Sequence, residues 1–195
     1  ADAQLLERER VTVVESAHPI PDQKSLDAGH VLLERTFTML PDSRLLLLVS
    51  GGASALAEAM PASMTLDELQ AKTDEMIASG NTIGEINTWR KQNSLIKDGK
   101  LVEAFKGAEV RVYAISDVEG DGIDTIGSGL GDCHRASALA TSKVIASNQI
   151  ARERVAETAL ELGLVVKVNE ETLYGDLFEL AVVIGETLRN AEPGV

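Results

Sequence analysis

The stretch LLLLVSGGASAL, residues 45–56, sets four leucines and a valine directly before a serine, two glycines and a small-residue segment. An apolar run of this length, closed by glycine, reads as a strand buried on both faces of a parallel sheet. The turn after such a strand is where open α/β sheets bind their ligands. Ser50, Gly51, Gly52 and Ser54 supply that turn, and a helix is expected to begin near Ala53. Glycines let the backbone approach an anion, and free amides at a helix start point toward it. The same pattern also serves a tight turn that binds nothing.

Working outward, β-branched and apolar runs at 10–16, 44–50, 109–118 and 164–169 read as strands. Helical periods cover 25–40, 65–80, and roughly 134–162 and 173–190, with a capping box at Thr65 and Glu68. Strands alternating with helices predict the α/β class, a three-layer α/β/α Rossmann-like sandwich with a mostly parallel sheet, as one domain over 1–195. Two helices fall between 65 and 95 with no strand between them, an insertion over one strand end.

Composition narrows the function. The chain has 195 residues, 44% of them hydrophobic, with a net charge of −13 and a single cysteine, Cys133. That acidity argues against nucleic acid and anionic membrane as partners, since both require a basic footprint. No run of about 18 apolar residues suggests a membrane span, and one cysteine closes no internal disulfide. A soluble, cytoplasmic protein with a small-molecule ligand is expected.

Two further stretches carry chemistry. In 81–101, Asn87, Arg90, Lys91 and Ser94 recur at helical spacing along one face, while Ile83, Ile86 and Trp89 occupy the adjoining one. Between 90 and 106 there are five basic residues against two acidic ones, a local positive patch in an acidic chain. Arg90 suits bidentate recognition of carboxylate or phosphate, and Lys97 a point contact to a phosphoryl group. The alternative is an ordinary solvated helix face. In AISDVEGDGIDTIGSG, residues 114–129, a strand end delivers Asp117 and then Asp121 among glycines. Carboxylates there suit Mg²⁺ or a base acting on a hydroxyl, and equally Asx turns and helix caps. His18, in SAHPIPD, falls near the same sheet end. GSGLGD, 127–132, lacks the strand and helix flanks of a dinucleotide fingerprint.

Taken in order, HPIPD (18–22), SGGASAL (50–56), TLDEL (65–69), SGNTIGEINTWRKQNSLIKDGKL (79–101), SDVEGDGIDTIGSG (116–129) and ASNQIA (146–151) resemble the type 2 glycerate kinases, in the large domain that accompanies their MOFRL domain. The resemblance implies ATP-dependent phosphorylation of D-glycerate at its 2-hydroxyl, with ATP and Mg²⁺ as cofactors. The family often carries the label hydroxypyruvate reductase. By that likeness, Ser50, Gly51, Gly52, Ser54, Asn87 and Arg90 bind substrate or phosphate, Lys97, Asp117 and Asp121 are catalytic, and Asp117 with Asp121 holds the metal. The C-terminal MOFRL domain and an upstream segment are expected to be absent from this sequence, with such a domain or a homo-oligomer as partner. A hydroxypyruvate-reducing oxidoreductase and a non-catalytic anion-binding domain are the competing classes.

Overall fold

The computed structural model describes residues 11–169 and 176–191. It divides into two compact units, one up to Ile145 and one from Ala146 onward.

The first unit is built on the opening stretch. Strand β1 (Arg44–Ser50) pairs in parallel with β2 (Glu109–Ile115), in a register that sets Leu47 against Val112 and Val49 against Ala114. A third strand, β3 (Leu139–Ala146), follows β2 in the order β1-β2-β3. The α/β class and the parallel pairing expected from the sequence hold. Successive side chains of a strand point to opposite faces, so Leu47, Val49, Val110, Val112 and Ala114 all enter one core. The core is completed from α5 (Lys100–Ala104) and the residues beside it, by Ile96, Leu101, Val102 and Phe105, with Leu32 and Leu33 of α1 (Gln23–Thr38) packed against it.

Burial on both faces of β1 does not hold. Leu46 is 59% and Leu48 is 68% exposed, and Ile115 of β2 lies on the same uncovered side. A leucine run registers apolarity on both faces, whereas cover on each face comes from other elements, which here pack against one face.

Three other expectations are corrected. Residues 11–16 form no strand, because β-branched residues need a ladder partner and none pairs with them among the described residues. Residues 164–169 are likewise irregular. The helix expected over 134–162 divides into β3 and α6 (Asn148–Glu161). Ala136, Ala138, Ala140 and Val144 pack against the core at a period of two, and pairing beside β2 outweighs the helical preference of an Ala-rich segment.

The insertion between β1 and β2 forms as expected. Helix α3 (Leu66–Ala78) opens with Thr65 and Glu68 capping each other, and α4 (Ile83–Asn93) repeats the device with Thr82 and Glu85. In the second unit, α6 is followed by α7 (Leu177–Arg189), where a helix was expected over 173–190; residues 173–175 lie outside the described residues. Among the described residues, no helix is long and apolar enough to cross a membrane.

Candidate active site

A cleft of about 340 Å³ opens at the carboxyl ends of β1 and β2, within the first unit. Gly51, directly after β1, and Asp117, two residues after β2, line it. Asn87 and Arg90 of α4, Ser54 of α2 (Ala53–Leu56) and Ser128 form a polar wall, Ile77, Ile83 and Ile86 form an apolar one, and His18 stands at the edge.

One directed chain of hydrogen bonds runs along the polar wall. Arg90 Nη1 donates to Ser54 Oγ at 3.2 Å, the two serine hydroxyls are 2.7 Å apart, and Ser128 Oγ donates to Asn87 Oδ1 at 3.1 Å. A guanidinium only donates and a hydroxyl carries one proton. The order is therefore Arg90 to Ser54 to Ser128 to Asn87, which leaves the other Arg90 donors for a ligand. Ser128 holds a left-handed backbone, φ 57°, between two left-handed glycines. For a residue with a Cβ this costs on the order of 1–2 kcal/mol, and such strain persists only where the surroundings enforce it. They do so here: Asp98 N–H donates to the Ser128 carbonyl and Gly99 N–H to that of Gly129, locking the 97–99 turn to the 127–129 turn.

The electrostatics divide the cleft. Arg90 is half-buried, and among the described residues no carboxylate lies within ion-pair distance of it. Burial lowers its pKa from the ordinary arginine value, and the more distant charge of Glu58 opposes that shift. A Cβ placed on Gly51 would overlap the Asp117 carboxylate. Glycine at 51 thus makes room for the Asp117 carboxylate, and one cleft is lined by this anionic group and by the cationic Arg90.

Some of the amides expected to face a ligand at the glycine turn are bonded within it. Helix α2 is a single turn, and the Ser54 and Ala55 N–H groups donate to the carbonyls of Gly51 and Gly52. The turn lines the cleft with Gly51 and with Ser54. Gly51, Ser54, Asn87, Arg90 and Asp117 come together as lining residues. Ser50, Gly52 and Asp121 do not line it; Gly52 lies beside His18 and Leu56, and Asp121 sits on the left-handed turn after β2.

Lys97 lies beneath the cleft at 0% exposure. Its ammonium is 2.7 Å from Glu58 Oε2 and donates to the Ala57 carbonyl at 3.2 Å. Burial pushes the ammonium below the usual lysine range, with Glu58 opposing. The face expected to run from Asn87 to Ser94 narrows accordingly: Lys91 reaches out to Asp124 at 3.6 Å, and Ser94 is buried against Glu58. Ser128 and Glu58 are residues that sequence reasoning passed over. The signal for Ser128 was present in the Gly-Ser-Gly run, which three successive left-handed residues require. Glu58 gave none beyond a carboxylate in an apolar context.

Among the described residues no three His, Cys, Asp or Glu side chains gather as a metal-binding group. One carboxylate in an open cleft matches the way Mg²⁺ is held, by one or two protein oxygens with phosphates and water completing the shell. Asp117 fits that role.

The fold and this cleft define an α/β domain with a bipolar site at the carboxyl ends of parallel strands. Residues 2–161 match the family described as "Domain of unknown function (DUF4147)", and the chain belongs to that family. It is 41% identical over 123 residues to a glycerate 2-kinase of Pyrococcus horikoshii, covering 63% of this chain and 28% of that protein. It is 39% identical over 120 residues to an Agrobacterium vitis protein bearing a hydroxypyruvate reductase label, covering 62% and 31%. The crystal structure of a Thermotoga maritima glycerate kinase superposes with a TM-score of 0.68 at 27% identity, covering 77% of this chain and 44% of that one. A Pyrococcus horikoshii protein of solved structure superposes at 0.76 with 30% identity, covering 96% and 54%. The chain thus spans about a third or less of the length of these curated relatives.

Proposed function

We propose that the cleft receives D-glycerate and that this chain is the acid-binding part of a glycerate 2-kinase, which transfers the γ-phosphoryl group of ATP to the 2-hydroxyl. The observation that carries the reading is the presence, in the lining of one cleft, of an Arg90 guanidinium without a carboxylate partner among the described residues and of the Asp117 carboxylate. A 2-hydroxy acid has the complementary pair of groups. Its carboxylate meets the free donors of Arg90 in the two-pronged geometry that guanidinium favours, and its hydroxyl lies toward Asp117. The cleft volume is at the small end of ligand pockets, which suits a three-carbon acid and a phosphoryl group.

In the reaction, Asp117 accepts a hydrogen bond from the 2-hydroxyl and takes its proton as that oxygen bonds to the γ-phosphorus and the bond to the β-phosphate bridge breaks. Arg90 fixes the acid so that this oxygen is presented in line. One Asp117 oxygen would hold Mg²⁺, which would supply neutralisation of phosphate charge, and the other oxygen is left to the hydroxyl. A cytoplasmic setting, and a MOFRL-type domain or a second copy completing the nucleotide side, belong to the same proposal. Hydride transfer is disfavoured because 127–129 forms a left-handed turn rather than the strand-to-helix loop of a dinucleotide site.

The test is calorimetric titration of the chain and of Arg90→Met with D-glycerate, together with phosphorus NMR of the chain with Mg-ATP and D-glycerate. Binding by the parent that is lost in Arg90→Met supports the reading. No binding by the parent at millimolar acid overturns it.

A further inference from the structure

The buried Glu58–Lys97 pair does not line the cleft, yet it is bonded to the ends of α2 and α4 and precedes in sequence the turn that holds Ser128. Glu58 follows α2, which carries Ser54, and its own N–H donates to the Ser25 carbonyl of α1. Glu58 Oε1 accepts from Ser94 Oγ at 2.5 Å and from the Ala59 N–H at 3.0 Å. Ser94 is the C-cap of α4, and its N–H donates to the carbonyl of Arg90 itself. Lys97 is followed directly by Asp98 and Gly99, whose N–H groups hold the Ser128 turn. Lys97 Nζ returns to the Ala57 carbonyl, at the end of α2. The pair therefore bonds the end of α2 to the end of α4, and the backbone directly after Lys97 carries the bonds to the Ser128 turn.

A buried ion pair is a weak source of stability, since apolar residues of similar volume often serve as well or better. Stability alone does not account for placing one here. Glu58 and Lys97 both lie within electrostatic range of Arg90 without contacting it, so the pair adds no net charge there and leaves the Arg90 donors free.

We infer that Glu58 and Lys97 are positioning residues that hold the Arg90–Ser54–Ser128 wall in the geometry that grips an oxyanion. The inference rests on the cleft's being an anion site. It concerns how that site is set rather than which group reacts.

The experiment uses inorganic phosphate as probe, with the parent chain, Arg90→Met, the double variant Glu58→Gln with Lys97→Met, and Ser94→Ala. Three readouts are taken: melting temperature, phosphate affinity by calorimetry, and the side-chain NMR signal of Arg90 Nε. The double variant removes both charges, so no lone buried charge remains to unfold the chain. It is expected to melt within a few degrees of the parent, to bind phosphate about tenfold more weakly, and to show a shifted, averaged Arg90 signal. Ser94→Ala, which keeps the ion pair and cuts the hydroxyl's bonds to Glu58 and to the N–H groups of Ile96 and Lys97, is expected to weaken binding two- to threefold. Parent-like phosphate affinity in both variants overturns the inference. So does an unmoved Arg90 signal in a double variant that folds, and if the double variant does not fold, parent-like binding by Ser94→Ala does the same. If the parent itself fails to bind phosphate while Arg90→Met changes nothing, the anion-site reading falls, a result distinct from either of these.

Discussion

Lys97→Met removes one partner of the buried pair and leaves the other. In the parent, the Lys97 ammonium and Glu58 carboxylate are 2.7 Å apart at 0% and 3% side-chain exposure. After the substitution Glu58 keeps its bonds from Ser94 Oγ and the Ala59 N–H, but no cation remains beside it in a region closed to water. Breaking a buried pair in this way typically costs about 3–5 kcal/mol. For a chain of this size, about 2–4 °C of melting temperature accompanies each kcal/mol, so the midpoint is expected to fall by roughly 6–20 °C. Thermal unfolding followed by circular dichroism at pH 7 measures this. Adding Glu58→Gln is expected to restore most of the loss, because the stranded charge is gone. A fall below about 2 °C for the single variant would refute the reasoning, since it would mean that the ammonium is solvated and the pair does not form.

Arg90→Met is expected to lower D-glycerate affinity by at least tenfold, in line with about 1.5–3 kcal/mol for hydrogen bonds to a charged group, with little change in melting temperature; calorimetry and a thermal scan check both. Gly51→Ala puts a methyl group where the Asp117 carboxylate sits, so it is expected to displace that side chain and reduce turnover in the full enzyme while the fold survives. Gly131→Ala instead meets Val112 Cγ1 at 2.6 Å inside the core and is expected to destabilise by about 1–3 kcal/mol through overpacking, read by denaturant midpoint. The capping carboxylates Glu68 and Glu85 are held below the usual carboxylate range, chiefly by the backbone N–H groups of Thr65 and Thr82. Their contribution is present above the unfolded pKa and lost as pH falls through the lowered folded values. Melting temperature measured from pH 6 down to 3 should therefore decline, and less steeply in Glu68→Gln with Glu85→Gln.

Local pattern determined a good part of this protein. The leucine run and the strand at 109–115 declared two core strands, and the Thr65–Glu68 box marked the start of α3. The helical spacing of Asn87 and Arg90 put both on one wall of the cleft. These features are legible because periods and caps act between residues a few positions apart, and so are written in neighbouring letters. What lay beyond the sequence depended on partners distant along the chain. Residues 11–16 are as β-branched as any strand here, yet no ladder partner joins them among the described residues, while 139–146, inside an expected helix, becomes a strand because β2 lies beside it. Nothing in the glycine turn announces that the carboxylate of Asp117, 66 residues after Gly51, rests against it. Lys97 reads as a reactive cation until Glu58, 39 residues before it, is found neutralising it in the interior. Charge and burial are properties of a side chain's surroundings, and only the tertiary structure chooses those surroundings.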